Sequence, residues 1–359
     1  MTCETAKQIA KMSEVTAFCL IVLGIFINAT VCAVMLLNKC VLKNLSNFFV
    51  FHLSVADLIF RLLTVGPVIY LSTVYDTDKS GIPCKLLHFF SSACGAAFFV
   101  SLVVISVDVY RDAASPLKGV MSPRTPFLVV LGVWIYAVVC SGPLMYSARS
   151  VLYTEIPEVA RNLTDELKNC SVPKLCDFYR NWSGQLSTTL YFVMAFLVPL
   201  VIMVILFLLT YVYLRRDYKS GAISKETANA KGKVTRMLSA LSLGVVICWG
   251  PTALISMLRS YDGLADVAPD IVLILAITTE LMKFMNSLFN PMIFACYIPN
   301  FRKDWFGLCK NCKCCGKARQ VENPSIQRRQ VIQSTEFRDS QTMMWPERDQ
   351  HRTALHMTI

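Results

Sequence analysis

The chain has 359 residues, 55% of them hydrophobic and 16% charged, with a formal net charge of +11 and a mean hydropathy of +0.50. A soluble domain of this length does not need so much apolar surface, so water is not its main solvent. On so apolar a chain the basic excess reads as membrane topology rather than nucleic-acid binding.

Crossing about 30 Å of hydrocarbon takes roughly 20 apolar residues in a helix that rises about 1.5 Å per residue. Seven runs meet that length: Val15 to Leu37, about Phe48 to Tyr70, about Leu86 to Tyr110, Phe127 to Ala148, about Leu186 to Leu214, about Val234 to Leu258 and about Ile271 to Tyr297. The first carries no formal charge; the second and third are not charge-free. Runs this long without strict alternation exclude a β-barrel and predict an all-α membrane protein, a bundle of seven transmembrane helices. The first run exceeds the apolar core of a signal peptide and lacks a clear small-residue cleavage site, so it is read as a helix that stays.

Orientation follows from basic residues in the short loops. Lys39 and Lys43, then Arg111, Lys118 and Arg124, then Arg215, Arg216, Lys219, Lys225, Lys231 and Lys233 mark cytoplasmic connections. The alternate loops carry Asp76, Asp78, Glu155, Glu158, Asp165, Glu166, Asp262, Asp266 and Asp270 and face out. The N-terminus is thus expected outside and the C-terminus inside. Sequons at Asn162, Asn169 and Asn181 all fall in one outer loop and are read as glycosylation sites.

Residues 1–14 are expected to be a short outer segment with no room for a separate ligand-binding domain, and 15–298 the membrane domain. In 299–317, Phe301, Trp305, Phe306 and Leu308 interleave with Arg302, Lys303 and Asp304, which predicts a short amphipathic eighth helix at the inner surface. Cys309, Cys312, Cys314 and Cys315 follow it in the reducing cytosol, where palmitoylation is the expected fate; their spacing would also suit a thiolate metal site, without histidines to support it. The tail, 318–359, is polar, charged and expected to be disordered.

Polar residues and prolines inside the apolar runs are more specific. Helix one holds Asn28 and helix two Leu53-Ser54-Val55-Ala56-Asp57-Leu58. Helix four holds Trp134, helix five Pro199, helix six Cys248-Trp249-Gly250-Pro251, and helix seven Asn290-Pro291-Met292-Ile293-Phe294. Asp57 is a carboxylate near mid-bilayer, which needs a partner or a task; Asn28, Asn286, Ser287 and Asn290 are its expected neighbours. Pro251 and Pro291 each remove a helical hydrogen bond and loosen their helix.

In this order the set resembles the rhodopsin-like (class A) G-protein-coupled receptors, over nearly the whole chain to about Leu308. The resemblance implies a plasma-membrane receptor that binds an extracellular ligand within the bundle and acts on heterotrimeric G proteins and arrestin; no nucleophile, base and orienter set stands out in the sequence, so enzymatic activity is not expected. It implies a sodium ion at Asp57, although Phe98 stands where many members place a hydroxyl, and a cluster that only joins helices is the alternative. It makes Trp249 the pocket floor that couples ligand contact to helix six, with simple packing as the alternative. It joins Cys84 to a cysteine of the second outer loop. Cys170 and Cys176 compete, and Cys176, nearer helix five in sequence, is preferred; Cys170 is then free, paired with Cys3, or disrupting its own sequon.

By position the ligand-binding set would be His88, Ser91, Gly95, Tyr191, Trp249, Ser256, Arg259, Glu280, Lys283 and Phe284. Glu280 and Lys283, one turn apart, could equally pair with each other. Ser91 stands where amine receptors carry an aspartate, against a monoamine. An opsin's lysine would fall at Phe284, with Lys283 about 100° away around the helix. An outer rim bearing Asp76, Asp78, Asp262, Asp266 and Asp270 favours a cationic peptide, with solvated loop charge as the alternative. The family's Asp-Arg-Tyr triplet becomes Asp108-Val109-Tyr110, and the tyrosine of its helix seven motif becomes Phe294. Lys231 stands where an acidic residue is frequent and could attract Asp108. Those departures keep open a decoy or arrestin-biased receptor. A transporter or channel would call for internal repeats and paired broken helices, which the sequence does not show.

Overall fold

In hydrocarbon every peptide group must find its partner within the protein, so each apolar run closes its own backbone bonds as a helix. The computed structural model describes residues 3–37, 41, 45–73, 81–114, 125–152 and 174–297. The eighth helix, the cysteine cluster, the tail, Cys170, and the sequons at Asn162 and Asn169 lie outside the described residues.

Seven described helices are long and apolar enough to cross a membrane. They are α1 Cys3–Leu37, α2 Leu45–Thr73, α3 Ile82–Ala114, α4 Thr125–Ser147, α5 from Trp182–Leu190 through Tyr191–Leu197 to Val198–Lys219, α6 Lys225–Ser260 and α7 Pro269–Tyr297. A hairpin of β1 Ala148–Leu152 and β2 Lys174–Phe178 lies between α4 and α5, antiparallel, with Ser150 opposite Cys176. Most helices outrun the apolar segments read from sequence. α1 starts at Cys3 rather than Val15, so 3–14 is helix, because Lys7, Gln8 and Lys11 are good helix formers that end only the apolar run. α6 starts at Lys225, where Ser224 Oγ accepts from the Thr227 N–H (3.2 Å) and Glu226 meets the positive helix end.

α3 is the most buried span and α4 and α5 the least. Its centre, Ser91, Ser92, Ala93, Cys94, Gly95, Ala96 and Ala97, is uniformly small and buried. Small residues let backbones approach closely where no hydrophobic effect drives helices together, and Ala96 and Ala97 pack with Val133, Ala137 and Ala195. Large apolar side chains such as Phe26, Leu131, Val139 and Leu208 instead point outward, as a lipid-facing surface requires. α2, α3 and α4 are joined by His52: Trp134 Nε1 donates to its Nε2 (3.1 Å), and its Nδ1 lies 3.3 Å from Ser101 Oγ.

α5 changes pitch at Tyr191–Leu197, a π-helical turn. The Val198 N–H reaches back to Val193 O, and Pro199, without an N–H, gives nothing to the freed Met194 carbonyl. Tyr136 Oη of α4 donates to that carbonyl instead (2.7 Å).

The hairpin is held over one end of the bundle by a disulfide between Cys176 and Cys84 in the first turn of α3, so the Cys176 pairing holds. Asn181, the third sequon residue, turns its Oδ1 to the Gly184 N–H (3.1 Å) as the N-cap of α5. Serine at position 84 or 176 is expected to cost about 2–4 kcal/mol of stability and to reduce surface delivery. Labelling of surface against total protein measures this; a harmless Cys176→Ser beside a damaging Cys170→Ser would contradict the pairing.

Candidate functional site

Beneath the hairpin lies a cavity of about 30 Å³, lined by His88, Ser91 and Ser92 of α3, Thr188 and Tyr191 of α5, Trp249, Thr252 and Ser256 of α6, Lys283 of α7 and Phe178 of β2, among others. Its space suits about two waters. Six of the ten sequence-chosen ligand residues therefore line one cavity: His88, Ser91, Tyr191, Trp249, Ser256 and Lys283. The other four are placed differently. Gly95 lies under the Trp249 ring, where a Cβ would sit 2.6 Å from Cε3. Arg259 pairs with Asp177 of β2 (3.2 Å), and Glu280 pairs with Lys283 (2.5 Å). Phe284 stacks on Phe60, with ring centres 5.5 Å apart.

The charged side chains nearest the cavity are paired. Lys283 is buried, and its Nζ also donates to Ser91 Oγ (3.0 Å), tying α7 to α3. Its stem carries the amine into the cavity although the helical angle sets it apart from Phe284. Arg180 bridges Asp177 (3.9 Å) and Asp262. His88 faces Phe178, ring centres 4.5 Å apart, and Tyr191 Oη donates to the Ser92 carbonyl (3.0 Å).

Trp249 forms the floor. It meets Phe98 at 5.9 Å and Phe60 at 5.3 Å between ring centres. The next residue, Gly250, admits Phe196, whose Cζ would lie 2.8 Å from a Cβ there. Pro251 and Pro291 lie inside continuous helices. Next to Pro251, Thr252 Oγ1 donates to the Thr279 carbonyl (2.7 Å), linking α6 and α7.

Below the floor, Asp57 is fully buried with its expected neighbours Asn28, Asn286, Ser287 and Asn290. Asn28 Nδ2 donates to Asp57 Oδ2 (3.0 Å) and to the Ser287 carbonyl (3.3 Å), and Ser287 Oγ also donates to Asp57. The counter-charge is Arg61, one turn along α2, with Nε 3.4 Å from Asp57 Oδ2. A guanidinium thus stands beside the carboxylate to which the sequence reading assigned a sodium ion, and a second cation there would be repelled.

At the opposite end, Val109 is buried in the same apolar cluster as Phe294. Asp108 is half-buried and has no ion pair among the described residues. Lys231 of α6 binds Asp112 instead, one turn beyond Asp108, through its carboxylate (2.9 Å) and carbonyl (3.1 Å). Tyr110 packs edge-on against Tyr213, at 5.8 Å, and Arg111 is exposed.

A family profile described as "7 transmembrane receptor (rhodopsin family)" matches residues 27–294, most of the chain and every helix described above. The chain belongs to the rhodopsin family of seven-transmembrane receptors. It is similar to the mouse neuropeptide FF receptor 2, 25% identical across 85% of this chain and 73% of that protein. The mouse galanin receptor type 2 is 29% identical across 79% and 71%. A QRFP-like peptide receptor of Branchiostoma floridae is 21% identical across 91% and 84%.

Four residues that make these contacts were not singled out from the sequence: Arg61, His52, Asp177 and Asp112. Only Arg61 carried a plain signal, a charge four residues after Asp57 and so on the same helix face. The floor yields a direct test. Gly95→Ala is expected to lose about 1–3 kcal/mol as the methyl displaces Trp249, whereas Gly132→Ala, with nothing within 4 Å, should not destabilise. Thermal unfolding of the two purified variants compares them; equal melting would contradict the close ring contact.

Proposed function

We propose that this chain is a cell-surface receptor that takes an extracellular peptide at the hairpin end of its bundle and signals to heterotrimeric G proteins and arrestin at the other end. The observation that carries the reading is the likeness, across the whole bundle, to receptors named for peptides, the neuropeptide FF receptor 2 and the QRFP-like peptide receptor. The cavity over Trp249 gives such a ligand its place. At about 30 Å³ it is too small for a peptide side chain of any size, so a ligand widens it or rests above it, against the Arg259–Asp177 and Lys283–Glu280 pairs.

The charge distribution supports the orientation. Arg215, Arg216, Lys219, Lys225, Lys231 and Lys233 gather at the end away from the hairpin, which is the cytoplasmic sign. At the hairpin end Asp262 is held by Arg180, while Asp266 and Asp270 are exposed and have no ion pair among the described residues. Their field favours a cationic peptide. Screening a peptide library on cells that express the receptor, with arrestin recruitment and G-protein dissociation read in parallel, tests the proposal. A cationic peptide that triggers either readout supports it; ligand-driven flux in liposomes with neither readout contradicts it and indicates a transporter.

A decoy or arrestin-biased receptor is the second reading, and Val109 favours it. The resemblance puts an arginine there that contacts the G protein, and a buried valine makes no charged contact. The Lys231–Asp112 pair closes the same cytoplasmic pocket, which Val109 and Thr210 also line. Val109→Arg is therefore expected to strengthen agonist-stimulated nucleotide exchange and leave agonist affinity unchanged, measured in membranes with matched receptor levels and a basal control. Full coupling of the native protein, unaltered by Val109→Arg, would show that the remaining inner surface suffices.

A further inference from the structure

Among the described residues Arg61 is one of the largest side chains with no solvent exposure, and it lies in a socket made by three helices. Its Nε faces Asp57 at 3.4 Å. Its Nη2 donates to the Phe284 carbonyl (2.5 Å) and to Ser287 Oγ, both on α7. Its carbon centre lies 5.1 Å from the Phe60 ring centre and 5.2 Å from that of Phe284, a cation–π arrangement on each side. The remaining wall is Gly24 of α1: a Cβ there would sit 2.8 Å from Ser287 Oγ and 3.1 Å from Arg61 Nε. The space for this arginine is thus built by a missing side chain on α1, two rings and a backbone carbonyl of α7.

We propose that Arg61 is the resident cation of this intramembrane site, standing in for a sodium ion and tying α2 to α7, so that the receptor is insensitive to sodium. The charge count carries the inference. Asp57 is the one carboxylate in the cluster, its other members, Asn28, Ser54, Asn286, Ser287 and Asn290, being neutral. Arg61 balances it, and a sodium ion added beside the guanidinium would leave a net positive charge in surroundings of low dielectric constant. Asp57 Oδ1, Asn28 Oδ1 and Arg61 Nη1 have no hydrogen-bond partner among the described residues. Neutral water, with both donor and acceptor capacity, suits that mixture of two acceptors and one donor; a cation suits only the oxygens.

The inference concerns the bundle itself and is independent of the ligand and of coupling, so its test needs neither. The purified full-length protein is melted in sodium chloride and in choline chloride at equal ionic strength. The wild type is expected to melt identically in the two salts. Arg61→Leu, which leaves Asp57 uncompensated, is expected to be less stable in choline and to regain stability saturably with sodium; Asp57→Asn added to it should abolish that response. A saturable, sodium-specific stabilisation of the wild type would overturn the proposal. So would a folded Arg61→Leu variant that ignores sodium, because the guanidinium would then not occupy a cation site. Should Arg61→Leu not fold, sodium-23 NMR of the wild type decides: line shapes unchanged by the protein support the proposal, and competable line broadening overturns it.

Discussion

A guanidinium and a carboxylate, both without solvent exposure, share one socket between α1, α2 and α7. On an insertion scale each charge alone costs about 2.5–3.5 kcal/mol at mid-bilayer. Together, with hydrogen bonds from Asn28 and Ser287 to the carboxylate, they hold three helices to one point. Removing one partner of such a pair costs about 3–5 kcal/mol, because the other charge is then buried alone. The pair also sets how α2 and α7 lie against each other: Arg61 reaches the backbone of Phe284, so α7 cannot slide along α2 without losing that bond.

From that point contacts run continuously to both sides. Phe284 stacks on Phe60, Phe60 meets Trp249, and Trp249 rests on Gly95 at the base of the cavity. Lys283, the residue before Phe284, carries the cavity's own cation and joins α7 to α3 through Ser91. A ligand that shifts either Lys283 or Trp249 therefore pushes on neighbours of Arg61 within one turn of α7 or one ring contact. Toward the end away from the hairpin, Val109 and Phe294 continue the same apolar cluster, and the Lys231–Asp112 pair lies beyond them. Two charge pairs thus bracket this half of the bundle, Asp57–Arg61 within α2 and Lys231–Asp112 between α6 and α3.

The seven spans were legible because hydrocarbon thickness sets a length that no soluble helix needs, and the ordered motifs identified the family. Helix ends were not legible in the same way. The apolar run stops at the membrane surface, while residues such as Lys7 and Lys11 in α1, or Glu226 in α6, continue the helix into water. Arg61 was passed over because an apolar window tolerates a single charge. Its role rests on Gly24, a residue 37 positions earlier that is meaningful only once α1 lies against α7. Partner choice was the other weak point: Lys231 was expected near Asp108 and binds Asp112, since one helical turn decides which carboxylate a side chain of that reach meets. Lys283 shows the same limit, because an angle on the helix does not account for a flexible four-carbon stem.

The buried pair is tested most directly by a double-mutant cycle in thermal or denaturant unfolding, with Asp57→Leu, Arg61→Leu and the two combined. If the charges neutralise each other in the membrane, each single variant is destabilised by about 3–5 kcal/mol and the double variant is more stable than either, with a coupling of a few kcal/mol. Strictly additive losses would mean that the two charges do not interact, and the socket described between α1, α2 and α7 would be wrong.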